Sequence, residues 1–141
     1  MIAARCCGAA ERLIEAATDF AKERVQFGEP IIAFQAIQHM LADSLTELWA
    51  ARLMTYRLAE NIDADVDVKL QHAQCSMAKL YASEMSNRVV NQALQIHGGY
   101  GYIKDYPIER IYRDQRITQI YEGTSQIMRG VIAKLLLNPK K

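Results

Sequence analysis

Apolar residues recur at steps of three and four along most of the chain, the spacing of one face of an α-helix. Ile2, Cys6, Ala9, Leu13, Ala17 and Phe20 form the first stripe, and Glu11, Arg12, Glu15, Asp19, Lys22 and Glu23 largely fill the other side. This pattern predicts a helix from near Ile2 to about Val25. Gly28-Glu29-Pro30 ends it, because glycine suits the position past a helix end and proline prevents resumption. A second helix is predicted from about Phe34 to Asn61, with Ile37, Leu41, Leu45, Leu48, Arg52, Tyr56 and Ala59 as its stripe. Trp49 falls to one side, placed to pack on a neighbouring element or subunit. Asp63-Ala64-Asp65-Val66-Asp67 is an acidic connector without the glycine and closing glutamate of a calcium loop, so its acids are read as caps for the next helix. The third helix is predicted from Val68 to His97, with Leu70, Ala73, Met77, Leu80, Tyr81, Met85, Val89, Ala93 and Ile96 on its apolar side. The run His97-Gly98-Gly99-Tyr100-Gly101-Tyr102 ends it. No strand precedes these glycines and no helix is expected to start at once, so they are not a dinucleotide fingerprint. A short helix follows Pro107, from Ile108 to about Arg113. The last runs from about Thr124 to Leu137, with Ile127, Met128, Val131 and Leu135 facing inward.

Two consecutive helices near 28 residues are each about 40 Å long at 1.5 Å per residue. With short connectors, that length predicts an all-α fold, an antiparallel four-helix bundle forming one domain over residues 1–141. No segment reads as a buried strand. The first helix starts inside its own pattern with no capping residue ahead of it, which reads as something upstream missing or supplied elsewhere.

Composition narrows the class. Of 141 residues, 50% are hydrophobic and 23% charged, the balance of a globular protein. A formal net charge of +1 gives no basic surface for nucleic acid. No apolar run approaches the roughly 20 residues of a membrane span, and the N-terminus turns amphipathic and acidic too soon for a signal peptide. Cys6, Cys7 and Cys75 are an odd set without disulfide spacing, and His39, His72 and His97 share no ligand-like spacing with them. The expectation is small buried or semi-buried apolar thiols in a reducing cytoplasm, with no metal.

A plain bundle does not need Arg24, Gln35, Gln95, Gly98, Gly99, Glu122, Gly123, Thr124 and Gln126. Each has a plainer role alone. Arg24 complements a helix C-terminus and Glu122 a helix mouth, the glycines end a helix, Thr124 is an N-cap, and the glutamines are surface amides. In an antiparallel bundle they are expected to gather at one end, or at a subunit contact there, as a site for an anionic, partly planar ligand.

Five motifs in order carry a resemblance: Arg24-Val25-Gln26-Phe27-Gly28, Phe34-Gln35-Ala36-Ile37-Gln38, Gln95-Ile96-His97-Gly98-Gly99-Tyr100-Gly101-Tyr102, Arg113-Asp114-Gln115-Arg116-Ile117 and Ile120-Tyr121-Glu122-Gly123-Thr124-Ser125-Gln126-Ile127. The chain resembles the C-terminal helical domain of the acyl-CoA dehydrogenases over nearly its whole length. That resemblance implies an enzyme of three parts: an N-terminal helical domain and a middle β domain, both absent here, and this bundle. It implies FAD, a dimeric or tetrameric homo-oligomer held mostly by this domain, an acyl-CoA substrate oxidised to the trans-2-enoyl-CoA, and an electron-transfer flavoprotein as acceptor. By motif, Glu122 resembles the base that takes the α-proton, a task suited to a carboxylate in a water-poor pocket. The enolate charge that develops is met by donors, among them the base's own backbone N–H. Gly123 matches a close approach to the substrate, and Tyr121 lines the acyl pocket. Arg24 matches an arginine that contacts the FAD phosphates of a partner subunit, with Phe27 and Gln35 around the same FAD. Gln95, Ile96, His97, Gly98 and Gly99 match a backbone-rich segment bordering that cofactor, and Thr124, Ser125 and Gln126 one near its adenine end. The residues that hold CoA in the family lie before the part matching Met1 to Gly8, so acyl-chain length is not read from this chain. Two other readings stay open: a self-associating bundle without flavin or activity, and a related flavin oxidase or dehydrogenase for substrates other than CoA esters.

Overall fold

A computed structural model describes residues 1–65 and 67–137. Helix α1 spans Ile2–Glu23 and α2 Gln35–Asp63, and α3 spans Val68–His97. The one-turn α4 spans Gly99–Tyr102, α5 spans Ile108–Arg116 and α6 spans Ser125–Leu137. Short 3-10 turns cover Ile31–Ala33 and Ile117–Gln119. Between α1 and α2 lies a two-stranded antiparallel ribbon, β1 Val25–Gln26 and β2 Glu29–Pro30, with Val25 opposite Pro30. Its two-residue loop has positive φ at Phe27 (55°) and Gly28 (90°), the backbone that a tight hairpin with right-handed twist requires. The ribbon is exposed and too short to carry a periodic pattern, so it went unpredicted, and the helix predicted to Val25 ends at Glu23.

Helix α3 is the axis of the fold, packing against α1, α2, α5 and α6. It buries residues on several sides, among them Ala78, Ala82, Met85, Val89, Val90, Ala93 and Ile96. Helix α1 meets it with Ala3, Cys6, Cys7, Ala10, Leu13, Ala17 and Ala21. Small side chains on both helices let the axes approach closely, and Leu13 and Met85, at 0% exposure, fill the seam.

Three expectations change. On α2 the inward residues are Ile37, Met40, Leu41, Ser44, Leu48, Ala51 and Leu58, while Leu45 and Tyr56 of the predicted stripe are exposed. The apolar surface of α2 is wider than the face it lays on α1 and α3, so periodicity alone could not choose its inner edge. On α6, Ile127 is exposed and Ser125 is buried instead. A helical turn also starts at once within the glycine run, because Gly98 at φ 57° lets the chain turn sharply and begin α4 at Gly99. Gly101 of that turn packs so closely on α3 that a Cβ would come 2.9 Å from the Leu94 carbonyl oxygen. In the acidic connector, Asp67 caps α3 by accepting from the Lys69 N–H (3.2 Å); Val66 lies outside the described residues.

Candidate functional site

After α4 the chain doubles back along α3. Its polar contacts with α3 fix the segment that ends in Glu122. Ser86 Oγ donates to Gln115 Oε1 (2.6 Å), and Asn87 Nδ2 donates to the Gln115 carbonyl (2.9 Å) and to Thr118 Oγ1 (3.3 Å). Thr118 Oγ1 donates to the Gln115 carbonyl (2.6 Å), and Gln119 Nε2 donates to Glu84 Oε2 (2.9 Å). Ser86, Gln115 and Thr118 are buried, so their bonds replace lost bonds to water.

Two residues then turn left-handed in succession, Glu122 at φ 50° and Gly123 at φ 99°. For a residue with a side chain, this region costs about 1–2 kcal/mol. Gly123 lacks that penalty, and a Cβ there would collide with the Met128 methyl. The Gly123 carbonyl accepts a 2.6 Å bond from Nζ of Lys79, which is only 8% exposed. Burial pushes the Lys79 ammonium below its ordinary pKa, and the nearby Cys6, Glu122 and Glu84 push it back up. Thr124 Oγ1 accepts from the Ile127 N–H (3.2 Å), so Thr124 caps α6 as predicted. Ser125 follows, buried, its Oγ without a partner among the described residues. Glu122 is exposed and lines an open cavity of about 420 Å³ with Ile2, Leu58, Cys75, Lys79 and Met128. The water-poor pocket expected around Glu122 is therefore open to solvent among the described residues. Tyr121 is half-buried, and its hydroxyl accepts from Arg5 Nη1 (3.4 Å).

A second cluster forms where α1 and α3 end. Phe20, Arg24, Ile96, His97, Gly98, Gly99 and Tyr100 help to line a groove of about 440 Å³. The Arg24 guanidinium stands 5.2 Å from the Tyr100 ring centroid. His97 is buried, stacked on Phe20 (4.3 Å between centroids), with Nδ1 2.8 Å from the Ala93 carbonyl oxygen. Burial pushes its pKa below the ordinary value, and the backbone hydrogen bond partly restores it. A Cβ on Gly98 or Gly99 would meet open space, so the backbone there is accessible. An arginine without an ion pair among the described residues, open glycine backbone and an aromatic wall fit a phosphate-bearing planar group such as FAD. Phe27, 93% exposed, stands at the ribbon tip, and Gln35 and Gln95 are exposed at the start of α2 and the end of α3. A further groove of about 510 Å³, lined mainly by α2 and α3, contains the Arg88–Glu47 ion pair (2.8 Å).

The expected gathering at one end does not occur within the chain. Glu122, Gly123, Thr124, Ser125 and Gln126 sit beside the middle of α3 and the start of α1. Arg24, Gln95, Gly98 and Gly99 sit at the other end of α1. Lys79 and His97 mark the two sites on one helix, about 27 Å apart at 1.5 Å per residue. The return of α5 along α3 separates them. Lys79 was missed because it lies in a helix dense with polar residues. Its signal was the spacing of Lys79, Ser83 and Ser86 along one stripe.

Residues 1–137 match the family model described as "Acyl-CoA dehydrogenase, C-terminal domain". A 3-(aryl)acrylate reductase of Clostridium sporogenes is 49% identical over 136 residues, 96% of this chain and 35% of that protein. A subunit of the caffeyl-CoA reductase–Etf complex of Acetobacterium woodii is 48% identical over 136 residues, again 96% of this chain and 35% of its own length. The solved structure of butyryl-CoA dehydrogenase from Megasphaera elsdenii superposes with a TM-score of 0.91 at 40% identity, covering 96% of this chain and 35% of that one. The chain thus spans about a third of the length of the relatives it matches. Among the described residues, no helix is long and apolar enough to cross a membrane.

Proposed function

Because this chain belongs to the acyl-CoA dehydrogenase family, as its C-terminal helical domain, we propose that it supplies the catalytic base and a cofactor-binding surface for FAD-dependent α,β-dehydrogenation of an acyl-CoA thioester. The observation that carries this reading is Glu122 on a doubly left-handed turn at the mouth of an open cavity. Strain of that kind persists only where the surroundings over-determine it, and it clusters at functional sites. In this role the Glu122 carboxylate takes the α-proton of the thioester, and the left-handed turn carries its backbone N–H to the developing enolate oxygen. Gly123 leaves room for the thioester, and Tyr121 flanks the acyl chain. When bound, FAD supplies the acceptor for the β-hydrogen and its electron pair. Run backwards, the same carboxyl returns the α-proton, the direction named for the two reductase relatives.

The second cluster serves a different FAD molecule. In this reading Arg24 neutralises its phosphates, Gly98 and Gly99 offer backbone, and Phe27, Gln35 and Gln95 border it. Ile96 and His97, both buried, contribute through the main chain. Thr124, Ser125 and Gln126 belong to the cofactor on the Glu122 side. A separation of about 27 Å supports assigning the two clusters to cofactors related by oligomer symmetry. Exposed Leu45, Trp49, Leu53 and Tyr56 run along one side of α2 and suit the contact of a homodimer or homotetramer. Cys6 and Cys7 are buried as expected while Cys75 is exposed, and these free thiols suit a reducing cytoplasm; an electron-transfer flavoprotein is the proposed acceptor, in keeping with the Etf complex named for one relative. The same α2 face favours a second reading, a self-associating bundle without flavin.

Co-expression with the family's N-terminal helical and middle β domains separates these readings. The enzymatic one predicts a yellow complex that converts acyl-CoA to enoyl-CoA. A complex that assembles but stays colourless contradicts it.

A further inference from the structure

Lys79 is the one lysine among the described buried residues, and its partner is a neutral carbonyl rather than a carboxylate. Burying an ammonium against a carbonyl is a poor way to gain stability, since an apolar side chain of similar length fills the same space without desolvation. The geometry gives the ammonium another use. It sits on α3, the helix that packs against α1, α2, α5 and α6, and reaches the turn that carries Glu122. Glu122 and Gly123 are both left-handed, and the Gly123 carbonyl belongs to the peptide that leaves that turn for α6. Lys79 and Glu122 line the same cavity, so the ammonium holds the turn from the protein side while the carboxylate faces the open side. The hydrogen bonds of Ser86 and Asn87 to Gln115 and Thr118 hold the incoming limb of the segment, and the Lys79 bond holds the outgoing limb.

We propose that Lys79 is a positioning residue for Glu122: its bond to the Gly123 carbonyl fixes the left-handed turn and so the direction of the carboxylate. The inference rests on the reading of Glu122 as the base. It assigns Lys79 no contact with substrate or flavin.

The test uses Lys79→Met with two readouts. In the isotope-labelled 141-residue chain, NMR reports the backbone of Glu122 and Gly123. Wild type is expected to show one left-handed conformation. Lys79→Met is expected to show averaged or doubled resonances at these residues while helical content and melting temperature stay at wild-type values. In the FAD-loaded assembly with the other two domains, the same variant is expected to lower kcat by about 10²-fold with KM unchanged, the effect of misplacing a reacting group by about 1 Å. A merely structural lysine predicts the opposite, a changed melting temperature with unchanged kcat. Unaltered turn resonances, or wild-type kcat, overturn the proposal. If Lys79→Met does not fold, Lys79→Gln, which keeps a neutral donor on a shorter side chain, takes its place with the same readouts and the same opposing outcomes. Glu122→Gln separates the two ideas. Full turnover in that variant sinks the base reading alone, because the NMR readout still decides whether Lys79 holds the turn.

Discussion

Single side chains in this protein have roles that depend on whether water reaches them. His97 lies inside the Phe20–Tyr106–Tyr100 ring cluster, and burial disfavours its charged form. With its folded pKa below the ordinary value of 6.5, the unfolded chain takes up a proton before the folded one as pH falls. Its contribution to stability is therefore full above about pH 6.5 and is lost progressively below it, down to the depressed folded pKa. The urea midpoint of wild type relative to His97→Gln is expected to fall between about pH 7.5 and about pH 5.5. A difference that does not change with pH contradicts the buried-neutral assignment. Arg24, a few residues from this cluster, was legible as a candidate because a bundle has no structural need for it. Lys79 was not, because a lysine in a 30-residue helix that also carries Lys69 and Arg88 reads as surface until burial is known.

Among the elements, the long helices were legible and so were the inner faces of α1 and α3, whereas the one-turn α4 and the inner face of α2 were not. The boundaries of α3 follow directly from Asp67 as a cap and Gly98 as a stop. The inner face of α2 did not follow, because Leu45, Trp49, Leu53 and Tyr56 continue its apolar surface around the helix and only packing against α1 and α3 chooses the edge. That surplus surface makes a prediction of its own. Trp49, 64% exposed, is expected to be buried between copies. Trp49→Glu is expected to shift the chain toward monomer in light scattering while its helical circular dichroism stays unchanged. A variant with the wild-type mass distribution places the oligomer contact elsewhere.

In the whole molecule, the motif order carried the family and the all-α bundle, but it could not say how far apart the motifs lie in space. Glu122 and Arg24 belong to one resemblance yet sit toward opposite ends of α1. The reason is the path of α5 back along α3, which rests on the long-range bonds of Ser86, Asn87 and Lys79. One chain thus presents two separate clusters, and the proposed chemistry needs an assembly that brings each a counterpart. In the proposed reading, Glu122 is the base within that assembly. The direct measurement is anaerobic mixing of acyl-CoA with the flavin-loaded Glu122→Gln assembly. With Glu122 as the base, FAD stays bound and substrate no longer bleaches the flavin; bleaching at the wild-type rate would assign the proton transfer to another group.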